Sequence, residues 1–237
     1  MLLQRRLQSL PAVPVLICGT PVTPVDSIRD LGVYIEADIW MKRHISATVR
    51  SCFGALRQIR SIRRALSRQA LTTLVRALVV SKVDYCNSVL AGISGYLLGR
   101  LQSDLNASAR LIYSANRSDS ITPLLRELHW LKVPECIEFR LYALVYRCLE
   151  GSAPSYLAEG IHRTTDNPTR ERLRSADTTT LLVPPLRRST LRDRSFFVAA
   201  TRAWNALPGA LRSATSLSTF RRDLKTVLFW RLFRLID

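Results

Sequence analysis

Four arginines, Arg43, Arg50, Arg57 and Arg64, recur at seven-residue steps, with Lys42 and Arg60 beside them and no acidic residue between Met41 and Leu66. Seven residues advance an α-helix by about 10 Å and return the side chain to nearly the same azimuth, so such a row would run about 30 Å along one helical face. Guanidinium groups at that pitch can neutralise and follow a phosphate backbone. The same pattern also describes an ordinary solvated face. If the helix stops before Arg64, the row shortens to three.

The residues that could support catalysis are sparser. Two-metal phosphoryl chemistry requires carboxylates that bridge ions about 4 Å apart. The only close acidic pair in a strand-like setting is Glu36 and Asp38, and no third carboxylate or Asp-Asp dipeptide accompanies them. No Gly-rich phosphate loop is written among the nine dispersed glycines, and no nucleophile elbow accompanies His44, His129 and His162. Cys18, Cys52, Cys86, Cys136 and Cys148 contain no Cys-x-x-Cys pair, so neither a zinc site nor a disulfide framework is indicated. The residues therefore suggest no catalytic group, no metal and no cofactor, and describe a chain that binds.

The charge agrees with an anionic partner. Among 237 residues, 35 are basic and 18 acidic, giving a formal charge of +17. The basic residues are 31 Arg and 4 Lys, a bias toward the side chain suited to bidentate phosphate contacts and base stacking, although codon usage could produce it too. The expected partner is RNA, DNA or their hybrid. Neither a signal-peptide core nor an 18-residue apolar run is present, so the expectation is an intracellular protein, nuclear or cytoplasmic, without a membrane span.

The elements that must position these residues are mostly helices. Residues 1–40, interrupted by Pro11, Pro14, Pro21 and Pro24, read as a small hairpin with strands at Val13–Cys18 and Gly32–Ile39. Residues 41–151 read as a helical bundle. Its first helix, over Met41–Ile62, carries Ile45, Val49, Cys52, Phe53, Leu56 and Ile59 on its apolar stripe. Its second, capped by Ser67 and running through Leu74–Gly92, carries Leu71, Leu74, Val75, Leu78, Val79, Val83 and Leu90 on its apolar face. A polar set within that helix, Ser81, Asp84, Asn87 and Ser88, lies along one line and forms either a solvated face or a hydrogen-bonded seam. A third helix runs through Leu97–Ile112 with Asp104 intruding on its apolar stripe, a short amphipathic segment spans Ile121–Trp130, and a fourth helix extends from Pro134 to Gly151. Residues 152–195 form a basic, Pro- and Thr-rich connection with one candidate strand at Thr179–Val183. Residues 196–237 return to helix, and the basic amphipathic stretch Leu217–Leu235 could dock on its own bundle, on a protein, on nucleic acid or on an anionic membrane.

A set of motifs then stands in order along the chain. Leu31-Gly32-Val33-Tyr34-Ile35-Glu36 is followed by His44-Ile45, Lys82-Val83-Asp84-Tyr85-Cys86-Asn87-Ser88, Leu101-Gln102 and Asn106-Ala107 with Ala109-Arg110-Leu111-Ile112. Ile121-Thr122-Pro123, Leu128-His129-Trp130-Leu131 and Trp204-Asn205-Ala206-Leu207-Pro208 complete it. This order resembles the region following the catalytic palm in reverse transcriptases of non-LTR (LINE-type) retrotransposons.

The resemblance implies a C-terminal fragment of an RNA-directed DNA polymerase. Residues 1–40 would be the last palm hairpin, 41–151 the thumb and its extension, and the metal-binding aspartates would lie upstream. It implies template–primer gripping by the Arg43, Arg50 and Arg57 row. It also favours the seam, with Asp84 and Asn87 hydrogen-bonded to neighbouring helices. The chain departs from the family pattern at Asp104-Leu105, Ser120, Lys132 and Leu191-Arg192, changes expected of a decaying element copy. The alternatives are a host-adopted interaction module docking through Leu217–Leu235 and a functionless product.

Overall fold

The computed structural model describes residues 13–166, 179–184 and 195–234. It is mainly α-helical, with two small β-hairpins at the N-terminal end. The first hairpin pairs β1 (Val15–Ile17) with β2 (Thr20–Val22), and the second pairs β3 (Ser27–Asp30) with β4 (Val33–Glu36), both antiparallel. The expected single hairpin is thus corrected to two, each run pairing with its immediate neighbour. The reason is local: Cys18-Gly19 and Leu31-Gly32 all have positive φ, the geometry of a two-residue turn whose twist matches that of the flanking strands. Most apolar side chains of these hairpins are exposed, Leu31 to 83%.

Helix α1 (Lys42–Ile62) starts without a side-chain cap on Met41. Glu36 supplies the cap from the end of β4, its Oε2 accepting the Arg43 amide at 3.0 Å, which places a negative charge at the positive end of the helix dipole. This contact ties the second hairpin to the helices. A 3₁₀ turn, Arg63–Ala65, follows, and Ser67 then caps α2 (Arg68–Val75) by accepting the Ala70 amide at 3.2 Å.

The expected continuous helix to Gly92 does not form. Helix α2 passes into a π-helical turn, Arg76–Val80, and a last short helix, α3 (Ser81–Asp84). Tyr85 is then extended, Cys86 is left-handed with φ 51°, and Asn87–Leu90 form a separate 3₁₀ turn. Two long-range contacts hold the break: the Tyr85 hydroxyl donates to the Leu31 carbonyl at 2.7 Å, and Asp84 pairs with Arg140. The π turn also shifts the helical register, leaving Leu78, expected in the core, 42% exposed.

The later helices are α4 (Gly95–Tyr113), α5 (Ile121–Glu127), α6 (Val133–Leu149), α7 (Ser155–Ala158), α8 (Phe196–Asn205), α9 (Gly209–Arg212) and α10 (Leu217–Arg234). Pro134 sits in the first turn of α6, where its missing N–H costs nothing, and Gly151, at φ 68°, turns the chain after the last one. The expected strand at Thr179–Val183 is reduced to a single bridge between Leu181 and Arg163; residues 167–178 and 185–194 of the basic connection lie outside the described residues.

Two apolar cores share α6. One joins α1, α2, α4 and α5 to Val133, Ile137 and Leu141 of α6. The other sets Tyr142, Val145 and Tyr146 against Trp204 of α8 and Phe220, Leu224 and Leu228 of α10. A helix with apolar residues on two sides must be buried on both. The apolar face of α10 is therefore packed within the chain through Phe220, Leu224 and Leu228, so that this helix docks on its own bundle. The α10 residue Arg231 reinforces this packing through an ion pair with Glu138 of α6.

Candidate nucleic-acid interface

The buried side of α1 is formed by His44, Ile45, Cys52, Leu56 and Ile59, so the arginine row faces outward. Lys42, Arg43, Arg50, Arg57, Arg60 and Arg64 are all exposed. Their roles divide. Arg43 belongs to the hairpin junction: its Nη1 donates to Ser27 Oγ at 2.6 Å and its guanidinium lies 5.5 Å from the centre of the Tyr34 ring. Arg50, Arg57, Arg60 and Arg64 have no ion pair and no side-chain hydrogen bond among the described residues. Arg64 falls in the 3₁₀ turn beyond α1, so the helical row itself ends at Arg57 and Arg60.

Two features extend this face. Phe53, expected on the apolar stripe, is instead 37% exposed at the edge of the buried face and lies one turn from both Arg50 and Arg57, placing an aromatic ring among the guanidinium groups. Arg100 reaches across from α4 and donates to Ser46 Oγ at 3.0 Å, one turn before Arg50. Beyond the end of α1 the surface opens into a groove of about 480 Å³ lined in part by Arg63, Arg64, Arg68 and Tyr113. Arg68 stacks 4.0 Å from the Tyr113 ring centre while pairing with Glu127. Sequence reasoning missed Arg63, Arg68 and Arg100. Arg63 was legible next to Arg64, whereas Arg68 and Arg100 reach this surface only through the packing of α2 and α4.

The polar set does not share one line. Ser81 returns its hydroxyl to the Ala77 carbonyl on its own helix, and Ser88 lies in the 3₁₀ turn beyond the break. Asp84 does bridge helices, accepting from Arg140 of α6, with Arg140 Nε at 3.3 Å. Asn87 bonds not to another helix but back to Asp84, Nδ2 to Oδ1 at 2.9 Å.

Several other motif residues act as clamps. Gln102 Oε1 accepts the Val133 amide at 2.8 Å, satisfying a free donor at the start of α6, and its Nε2 donates to Asn106 Oδ1 at 2.9 Å. Asn205 brackets Leu181 with two 2.8 Å bonds, one to the backbone N–H and one to the carbonyl, and Trp204 Nε1 donates to the Thr179 carbonyl at 2.9 Å.

Glu36 and Asp38 do not form a carboxylate pair aimed at one point. Glu36 caps α1, and Asp38, two residues beyond the end of β4, accepts the Trp40 amide at 3.0 Å. Among the described residues no group of three His, Cys, Asp or Glu side chains is arranged to hold a metal ion, and no helix is long and apolar enough to cross a membrane. No family model, no curated protein and no solved structure matches this chain.

Proposed function

We propose that this chain is a nucleic-acid-binding helical module, corresponding to the post-palm, duplex-gripping region of a LINE-type reverse transcriptase and contributing no polymerase chemistry of its own. The observation that carries this reading is the outward row of Arg50, Arg57 and Arg60, without acidic partners among the described residues, continuing into the Arg63–Arg64 groove. Charged side chains that build a fold are normally paired; an unpaired like-charged row with an interleaved Phe53 suits a polyanion that supplies both phosphate and stackable rings. The ordered motifs from Leu31 to Pro208 support the retrotransposon origin, and the exposed apolar hairpins support a place beside a larger sheet.

The test is binding to RNA, DNA and hybrid duplexes across a salt series. Each phosphate neutralised contributes about −0.9 to the slope of log K against log salt, so replacing Arg50, Arg57 and Arg60 together by Ala should reduce the slope by about 2.7. A slope that is shallow in the parent chain, or unchanged in the triple variant, refutes the interface. An interaction module is the second reading, favoured by the exposed Val15, Leu16, Ile28 and Leu31 of the hairpins. Capture of a protein partner that survives high salt and is lost on Leu16→Ser would support it.

A further inference from the structure

A cavity of about 290 Å³ opens between α3, α4 and α6. Its walls are largely carbon, with Val83, Leu105, Trp130, Val133 and Phe139 among them. Asp84, Asn87 and Arg140 line both this cavity and an adjoining groove of about 510 Å³, which also carries Arg147 and Arg221. The two spaces thus meet at one polar boundary, arginine-rich on the groove side and largely apolar on the cavity side, where His129 and Lys225 are further polar members of the wall.

Asn87 is the informative residue. It is 2% exposed, and its Oδ1 is buried without a hydrogen-bond donor among the described residues. The orientation of its amide is chemically fixed. The Asp84 carboxylate can only accept, so the NH₂ group must face it, leaving the oxygen directed elsewhere. A buried acceptor without a donor loses its hydration with no compensation. The groove is unbalanced in the opposite sense. Asp84 answers Arg140, but Arg147 donates only to the neutral Ser152 carbonyl at 2.9 Å, and Arg221, 5.8 Å from the Phe139 ring centre, has no acidic partner among the described residues. Arg221 also presses on Arg140, adding to burial in lowering its pKa. Burial pushes the Cys136 thiol up to about 12, so that part of the cavity wall stays uncharged.

An apolar slot, an unmatched acceptor and an adjoining cationic groove together describe a flat ligand that carries an N–H donor on its edge and an anion at one end. We propose that the cavity receives the base of a single nucleotide, its edge donating to Asn87 and its phosphate lying on Arg140, Arg147 and Arg221. Trp130 and Phe139 offer the aromatic surface on which bases stack irrespective of sequence. None of these residues belongs to the α1 row, so the pocket stands independently of the interface proposed above and would hold an unpaired or terminal nucleotide of a strand.

The experiment titrates the full chain with AMP, CMP, GMP and UMP, and with ribose 5-phosphate and dodecanoate as controls, by calorimetry and by tryptophan fluorescence. At least one nucleotide should bind about tenfold more tightly than ribose 5-phosphate. Arg221→Ala, at an exposed position, should weaken it about tenfold, and Trp130→Phe should remove the fluorescence change. The Arg50, Arg57 and Arg60 triple Ala variant should bind the nucleotide unchanged while losing its salt-steep duplex affinity. Equal binding of ribose 5-phosphate reduces the site to an anion groove and overturns the proposal, as does dodecanoate binding without nucleotide binding, or indifference to Arg221→Ala. Nucleotide binding without duplex binding sinks only the α1 interface.

Discussion

Asp104 provides the sharpest test of the energetics. It sits on α4 at 0% exposure, and neither carboxylate oxygen has a hydrogen-bond partner among the described residues. Burial raises its pKa to about 7, with the Arg100 guanidinium pulling the other way. The native chain therefore keeps a proton on Asp104 at pH values where the unfolded chain, ionising near 3.8, has lost it. Where the native state binds more protons, stability falls as pH rises. The contribution is fully present below about pH 4, declines as pH rises toward 7, and across that window amounts to about 4 kcal/mol.

Asp104→Leu replaces the carboxyl with a side chain of similar size that belongs in the surrounding stripe of Leu101, Leu105 and Ala109. Urea unfolding of both chains at about pH 5 and about pH 8 isolates the effect, because every other titrating group cancels in the double difference. The stabilisation by Leu should be larger at the higher pH by about 2.5 kcal/mol. Equal stabilisation at the two pH values would refute the reasoning, since Asp104 would then not change its protonation across the window.

Three further outcomes follow from other contacts. His44 is buried at the start of α1, and burial lowers its pKa against the opposing pull of Glu36. The unfolded chain then takes up the proton first, so stability should fall as pH drops below about 6.5. His44→Leu should flatten that acid limb in pH-dependent thermal melts, and an unchanged limb would contradict the assignment. Asn205→Ala strands both backbone groups of Leu181 and should cost about 2 kcal/mol in urea unfolding; a midpoint that does not move would show that water replaces the clamp. At Gly160 a methyl group would lie 2.1 Å from the Phe197 ring, so Gly160→Ala should destabilise by about 2 kcal/mol. A neutral result would mean that Phe197 has another rotamer open to it.

Much of the helical frame was legible because its determinants are local. The 3.6-residue pattern of Ile45, Cys52, Leu56 and Ile59, the Ser67 cap, Pro134 at the start of α6 and Gly151 at its end each act within a turn or two of their own position. The break after Asp84 was not legible for the opposite reason. The apolar spacing continues through Asn87 and Leu90, and what stops the helix is a carbonyl at Leu31 and a guanidinium at Arg140, both more than fifty residues away. The hairpins stand between these cases. Cys18-Gly19 and Leu31-Gly32 were readable as two-residue turns, but Cys and Leu are poor residues for a positive φ, and the proline spacing obscured the pairing.

The same contrast separates structure from function among the polar residues. Glu36, Asp84, Gln102, Asn106 and Asn205 all stand in the ordered motifs, and each has its hydrogen-bonding capacity directed at a backbone group or a helix partner within the chain. Removing any one of them would change the fold before it changed a partner. Arg50, Arg57, Arg60 and the Oδ1 atom of Asn87 have no such internal partner among the described residues. Folding gains nothing from an unpaired guanidinium row, which repels itself, or from a buried unmatched acceptor, which has lost its water. Asp104 shows that an unmatched buried group can also persist as a plain cost to the fold. What sets the α1 arginines and Asn87 apart is that they border an open face and a cavity, and the proposed phosphate contacts and the proposed N–H donor rest on that placement.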